Sequence, residues 1–461
     1  MATYHIVPTS NSAIRTVKHI AVNLLSNYAR NVDESVLALI LLHTLYFKFL
    51  VIFITVISYY ITMNNFQNNH LEVLKMRLHY FDNGRALASL LGFFYHVGLI
   101  FSIPWVINSN PNNFSSSLHL FTDFLSLFRM PLFIFIVGYF AIYSVKKYKF
   151  GAFAKNKFLR LGVPLLSSLY ILVFIQHIYA DILFKEESTF IDVLNIVNPL
   201  SNTFTLSHLW FLYVVIIYSF ILYFIVKTVA KYSSYFKKIK DTLMNANTLK
   251  SDILFILLTF GPNLFIVTLY KFYPINHGLL PYQFALYPSY FIMGVFTFIF
   301  WDKYSKLFFN LSKKRVSISL IVMISSYIVV YLIGSSGNTI TKVIKLFFST
   351  TTSYYSLLLA LYILFKFFNK TNKVLKYLAD SSYSIYLLHQ PIIVVVSYYY
   401  FKNIDSPILI SYMCILIVSI CVSYLIDFLF IRKTKIGKFL FTGVKSQRIP
   451  HSSKIEERYV T

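Results

Sequence analysis

The chain has 461 residues, of which 57% are apolar and only 13% charged, with a net charge of +25; its mean hydropathy is +0.64. A soluble domain carries about a quarter charged residues, so a large aqueous globule is excluded and lipid is the implied solvent. In a soluble chain this positive balance would point to nucleic acid; here the basic residues lie in alternate connections between apolar runs, so membrane orientation explains them and no nucleic-acid partner is expected.

Residues 1–76 form an extension in which Ser35–Ile61 is apolar but interrupted by His43 and Lys48. The run reads as an extra transmembrane helix or an interfacial one; alternatively the functional chain begins at Met76. No short apolar core with a cleavage site stands at the start, so a signal peptide is not expected. Ten apolar runs follow, at 84–107, 117–145, 161–183, 207–229, 252–270, 282–301, 315–334, 342–367, 380–401 and 407–431. Each is long enough for a tilted helix across a hydrocarbon layer ~30 Å thick. The runs are continuous rather than alternating, which favours helices over barrel strands. The expected fold is an all-α integral membrane bundle of ten helices over 77–431, with the uncertain N-terminal helix before it and a basic cytoplasmic tail, 432–461, after it. The tail is too short for a catalytic domain, so activity is expected within the bundle.

Connections 146–160 and 227–250 are rich in Lys and Arg, as are 302–315, 366–376 and the tail, whereas 184–206 holds Lys185 against Glu186, Glu187 and Asp192. The positive-inside rule puts the basic set, and with it the C-terminus, in the cytoplasm. Cys414 and Cys421 lie about 10 Å apart along one helix, too far for a disulfide. No Cys/His cluster has metal-ligand spacing, so no metal is expected.

Ionisable groups inside spans are costly and mark sites. In the first span Asp82, Arg85, Ser89, Gly92 and His96 fall on one helical face. At about 1.5 Å per residue, His96 lies roughly 16 Å deeper than Arg85. Arg129, about twelve residues into the antiparallel second span, reaches a similar depth. Lys157 and Arg160 precede Pro164 at the cytoplasmic start of the third span, placed for lipid phosphates or an anionic cofactor. His208-Leu209-Trp210-Phe211-Leu212-Tyr213 opens the fourth span and reads as an interfacial aromatic belt or as part of a site. In the ninth, Ser382, Tyr386 and His389 share a face, either a packing seam near Pro391 or a functional stripe.

These segments resemble, in order, motifs of the membrane-bound acyltransferase-3 family: Arg77-Leu78-His79-Tyr80-Phe81-Asp82-Asn83-Gly84-Arg85 through His96; Phe128-Arg129-Met130-Pro131 with Gly138-Tyr139-Phe140; Phe158-Leu159-Arg160-Leu161 with Pro164; the His208–Tyr213 segment; and Tyr383–Pro391. The Arg-Met-Pro and His-Leu-Trp wording is most similar to the branch of periplasmic glucan succinyltransferases. Lys157 stands where the family often has the first arginine of Arg-x-x-Arg, and Val137 where it often has serine.

The resemblance implies transfer of an acyl group from cytoplasmic acyl-CoA (acetyl-CoA or succinyl-CoA), a co-substrate rather than a bound cofactor, to a hydroxyl of a cell-envelope glycan or glycolipid, in a bacterial inner membrane. His96 matches the essential histidine, as general base or transient acyl carrier. Arg85, Lys157 and Arg160 would attract the CoA polyanion. Arg129 would stabilise an oxyanion or hold a succinyl carboxylate, and Asp82 would orient Arg85 or His96, its position favouring the arginine. His208, Trp210, Tyr386 and His389 are candidates for acceptor binding. The alternative is a transporter or flippase for a glycan or lipid intermediate, since buried Arg and His serve such proteins too.

Overall fold

The computed structural model describes residues 78–107, 114–228, 247–272, 286–334, 338–370 and 372–444. The chain divides after Phe53 into two units, and all described residues belong to the second; the N-terminal run at 35–61 lies outside them. Helices are the only regular structure among the described residues: α1 (His79–Ile100), α2 (Ser116–Lys147), α3 (Phe150–Phe184), α4 (Phe190–Val197), α5 (Trp210–Thr228), α6 (Thr248–Phe272), α7 (Pro288–Ile299), α8 (Trp301–Phe308), α9 (Lys313–Ile333), α10 (Thr339–Phe367), α11 (Lys373–Asn403), α12 (Ile408–Arg432) and α13 (Lys435–Thr442).

Sequence sets where many of them start. Ser115, Ser312, Asn338, Asn372 and Thr434 each accept a backbone N–H of the first turn, giving α2, α9, α10, α11 and α13 a side-chain cap. Asn83, inside the first motif, donates from Nδ2 to the carbonyls of Phe368 (2.7 Å) and Lys370 (3.0 Å), satisfying backbone acceptors just past the end of α10. α3 is not a plain helix. Phe158–Gly162, Leu169–Val173 and Ile178–Phe184 are π-helical, which re-aims its side chains three times along its length.

Each of the ten expected runs overlaps a helix among the described residues, the run 282–301 through the short Pro288–Ile299 helix. Among the described residues, six are long and apolar enough to cross a membrane: α2, α3, the stretch Ser207–Lys227 containing α5, α9, the Ile340–Phe367 part of α10, and α12. α1 and α11 fall outside that group because they carry the polar stripes read from the sequence, and α7, at 12 residues, is short for a crossing. Burial sorts the six. In the most apolar stretch of α2, 72% of residues are buried against protein; in α9 only 11%, and in α3 28%. A helix that is apolar all round but scarcely covered presents its remaining surface to lipid, and Ile321, Tyr331 and Leu332 of α9 are among the most exposed apolar side chains.

The centre of the bundle is α1 against α2 and α11, with α7 and α10 behind α2 and α12 beside α1. α2 and α7 meet at backbone distance through Gly138 and Gly294, as small residues allow in membrane packing. Phe81 packs its ring on Tyr139 (centroids 4.7 Å apart) and Phe309 (5.8 Å). A buried ion pair joins α6 to α9. Asp252 accepts two bonds from Arg315, at 2.9 and 3.1 Å, and one from the Tyr354 hydroxyl at 2.6 Å. The segment read as a basic tail begins with a helix, α13, that packs on α3 and on the end of α12.

Candidate active site

Two cavities lie against the middle of α11, one on each side of the short stretch between Ser384 and Tyr386. The first, of about 470 Å³, is lined by residues from α1, α2, α3, the turn before α5, Tyr287 and α11. It contains His96, Arg129, His177, His208, Trp210, Tyr386 and His389. The second, of about 560 Å³, lies at the end where α1 begins. It is lined by Arg85, Arg160, Arg432 and Lys438, with Asp380 and Asp427.

The first cavity is a cluster of imidazoles beside one guanidinium. The ring centroids of His96 and His389 are 5.0 Å apart, and those of His208 and His389 5.5 Å. His96 stacks on Trp105 at 5.3 Å and 27°. Arg129, only 7% exposed, lies over the Tyr95 ring with its Cζ 4.4 Å from the centroid. Gly92 makes room for this arrangement: a Cβ there would stand 3.2 Å from Arg129 Nη1 and 3.3 Å from His389 Cδ2.

Backbone bonds fix the tautomers. His389 Nδ1 donates to the Tyr386 carbonyl at 2.6 Å, so the lone pair is on Nε2. His208 Nε2 donates to the Leu387 carbonyl at 2.9 Å, leaving its lone pair on Nδ1. The Tyr386 hydroxyl returns the contact by donating to the His208 carbonyl. The start of α5 and the middle of α11 are thereby locked to each other. His96 Nδ1, His208 Nδ1, His389 Nε2 and Arg129 Nε are all buried with no hydrogen-bond partner among the described residues. Buried polar atoms normally have one, so this wall is shaped for a polar guest.

The residues singled out from sequence therefore separate into two groups. His96, Arg129, His208, Trp210, Tyr386 and His389 meet in the first cavity; Arg85 and Arg160 meet in the second. Asp82 lines neither and pairs with Arg85 (Nη2–Oδ1 2.5 Å). Lys157 also stays out of both, its Nζ 5.6 Å from the Phe153 ring centroid. Arg85 and His96 share a helical face but not a cavity, because eleven residues rise about 16 Å. Ser382, on the face of Tyr386 and His389, belongs to packing: its carbonyl accepts from Ser89 Oγ at 2.9 Å. In the second cavity Arg432 donates to Asp427 at 2.7 Å, and Ser384 donates to the same buried carboxylate.

Residues 78–428 match a family model described as an acyltransferase domain. The chain belongs to the acyltransferase-3 family. It is thereby a membrane acyltransferase. Among curated relatives, it is 25% identical to Glucans biosynthesis protein C of Escherichia coli strain K12 over 389 residues, covering 80% of this chain and 94% of that protein. The proteins of the same name from Shigella dysenteriae serotype 1 and Escherichia coli O139:H28 give the same identity and coverage. No solved structure matches.

His177 and Arg432 escaped the sequence reading. Arg432 lay beyond the last motif and was counted as tail. His177 sits inside an apolar run, and the available signal was Asp181 four residues on, where i and i+4 side chains meet.

Proposed function

We propose that this acyltransferase moves an acetyl or succinyl group from cytoplasmic acyl-CoA to a hydroxyl of a cell-envelope glycan. The observation that carries the reading is the convergence of His96, His389 and Arg129 on one buried, polar cavity in a chain of this family. The name of the similar glucan-biosynthesis proteins supports a glucan as the acceptor class. All ten helical runs cross the bacterial inner membrane in this reading, with the C-terminus inside, as the alternation of basic connections supports.

The two cavities then divide the labour. Arg85, Arg160, Arg432 and Lys438 face the cytoplasm and hold the phosphates of CoA, arginine by its planar fork and lysine as a point charge. Tyr383 and Ser384 line this cavity, and Tyr386 lines the other. At about 1.5 Å per residue less than one helical turn separates them, a gap well within the reach of the pantetheine arm of CoA. At the far side His96 meets the acyl group, as base or transient carrier, and Arg129 stabilises the oxyanion of the tetrahedral intermediate or holds a succinyl carboxylate. Trp210, stacked on Tyr287 at 5.4 Å, offers an aromatic platform to a sugar.

Membrane vesicles carrying the intact chain or His96→Ala, supplied with radiolabelled acetyl-CoA or succinyl-CoA and a glucan oligosaccharide, test the reading. Label should enter the glycan with the intact chain, and the rate should fall by about 10²-fold or more with His96→Ala. Equal labelling by both refutes the role of His96; no labelling by the intact chain refutes the donor or the acceptor. Glycan that crosses the vesicle membrane without an acyl donor would turn the assignment to transport.

A further inference from the structure

His177 has a structural support that the other cavity histidines lack. Its Nδ1 lies 2.5 Å from Asp181 Oδ2, one turn further along α3, and Asp181 Oδ1 accepts from Lys185 Nζ at 3.0 Å. An ionised carboxylate only accepts, so the hydrogen sits on Nδ1 and the lone pair on Nε2. That Nε2 is buried without a partner among the described residues, on a residue that lines the first cavity. The segment is held in place. Gln176 and Gln390 both donate to Ser207 Oγ, at 3.1 and 3.2 Å, tying α3 and α11 to the turn that carries His208.

A base that takes a proton becomes a cation, and its surroundings decide whether that is tolerable. His96 and His389 share the cavity wall with the Arg129 guanidinium, a like charge for any cation formed there, and among the described residues His208 has no carboxylate within ion-pairing distance. Among the described residues, His177 is the one cavity-lining histidine paired to a carboxylate. The charged and titratable groups around it are Asp181 and Lys185 on its own helix, His208 on the turn before α5, Tyr386 and His389 on α11, and Arg129 and His96 across the cavity. Asp192 of the adjoining α4 is engaged by its own helix cap.

We infer that the His177–Asp181 pair is the proton acceptor for the incoming hydroxyl, separate from the histidine that meets the acyl donor. The inference rests on the acyl-transfer reading above. In this step the acceptor O–H bond breaks and its proton passes to His177 Nε2. The oxygen's electron pair forms the ester bond to the acyl carbon. The bond from that carbon to its carrier, the thioester sulfur of CoA or a nitrogen of His96, breaks with its pair on the carrier. Asp181 holds the resulting imidazolium until the proton leaves to solvent or to the carrier.

The test is steady-state transfer of labelled acetyl-CoA and succinyl-CoA to a glucan oligosaccharide by the full-length chain in vesicles, comparing wild type with His177→Gln, Asp181→Asn and His177→Ala across pH. His177→Gln should lower kcat about 10²-fold while leaving KM for the acyl-CoA within about twofold. Asp181→Asn should lower kcat less and change the pH profile of kcat/KM, because a neutral amide no longer supports the imidazolium. Added imidazole should restore part of the rate to His177→Ala. An active wild type with superimposable pH profiles and rates in the variants overturns this inference alone. So does a rate loss that follows the amount of folded protein and does not respond to imidazole, which marks a purely structural pair. A wild type without acyl transfer removes the acyl-transfer reading and this inference with it.

Discussion

Replacing Gly294 by alanine should separate two helices that the active site depends on. A Cβ on Gly294 would lie 2.0 Å from the carbonyl oxygen of Phe135 and 2.7 Å from the amide nitrogen of Tyr139; one on Gly138 would lie 2.0 Å from the carbonyl oxygen of Phe291. Ordinary contact begins at 3.4 Å, so α2 and α7 must part by over an ångström. Both obstacles are backbone, and no side-chain rotation relieves them. The parting would loosen Phe135, Met293 and Val295, all fully buried, and the Tyr139–Phe298 ring pair at 5.2 Å. Overpacking costs about 1–3 kcal/mol in well-packed cores, and the backbone-to-backbone contact puts Gly294→Ala near the upper end, about 3 kcal/mol. Gly151→Ala is the matched control, since nothing lies within 4 Å of its added carbon and alanine favours a helix over glycine by up to about 1 kcal/mol. Thermal unfolding of the purified protein in detergent should show Gly294→Ala melting several degrees below wild type and Gly151→Ala at or above it. Because Arg129 rides on α2, acyl transfer at a permissive temperature should fall as well. Equal melting temperatures for the two variants would refute the close crossing.

Three further outcomes follow from other parts of the molecule. Arg129→Lys keeps the charge but loses the planar group over Tyr95, and should lower kcat by about 10²-fold in single-turnover transfer without changing the melting temperature by more than a few degrees. Asp252→Asn leaves Arg315 and Tyr354 without their shared carboxylate and should cost about 3 kcal/mol, read as a lower unfolding temperature. Asp192, exposed on α4, has its carboxyl held below the usual range, chiefly by the Thr189 backbone N–H and then by its hydroxyl. Its folded value is depressed, so its support for α4 is complete above the unfolded carboxylate pKa of about 3.9 and disappears as pH falls through the folded value. Hydrogen-exchange protection of residues 190–197, relative to the unfolded chain at the same pH, should fall over that acidic window in wild type, and Asp192→Asn should remove that change in protection.

Much of the architecture was legible because a membrane helix announces itself by an unbroken apolar run. The same rule does not fix the number of crossings. α1 and α11 carry the polar stripes that make the site, and those stripes take them out of the group identified by apolarity alone. Helical spacing put Arg85 and His96 on one face correctly as an angle, but a shared angle leaves 16 Å of rise between them, and the structure assigns them to different cavities. His208 read more readily as an interfacial residue than as part of a site; its tertiary bond to the Leu387 carbonyl and its place in the first cavity are not visible in the sequence. Asp252 and Arg315 looked like the edges of two separate connections, and nothing local said that they pair. His177 was hidden by its surroundings, since a histidine and an aspartate inside a long apolar run attract little notice unless their spacing is read as a contact.

The bonds that hold α11 to the rest of the bundle also bear on how the protein is made. Ser89 and Ser382 are 293 positions apart, and His208 and Leu387 are 179 apart. α1 and α2 are therefore synthesised and delivered to the bilayer long before the helix that completes their packing leaves the ribosome. Through that interval Arg129 stands in a half-built assembly without His389 and without the lock between α5 and α11. A chain stalled or truncated before α11 would hold the Arg129 guanidinium with part of its enclosure missing.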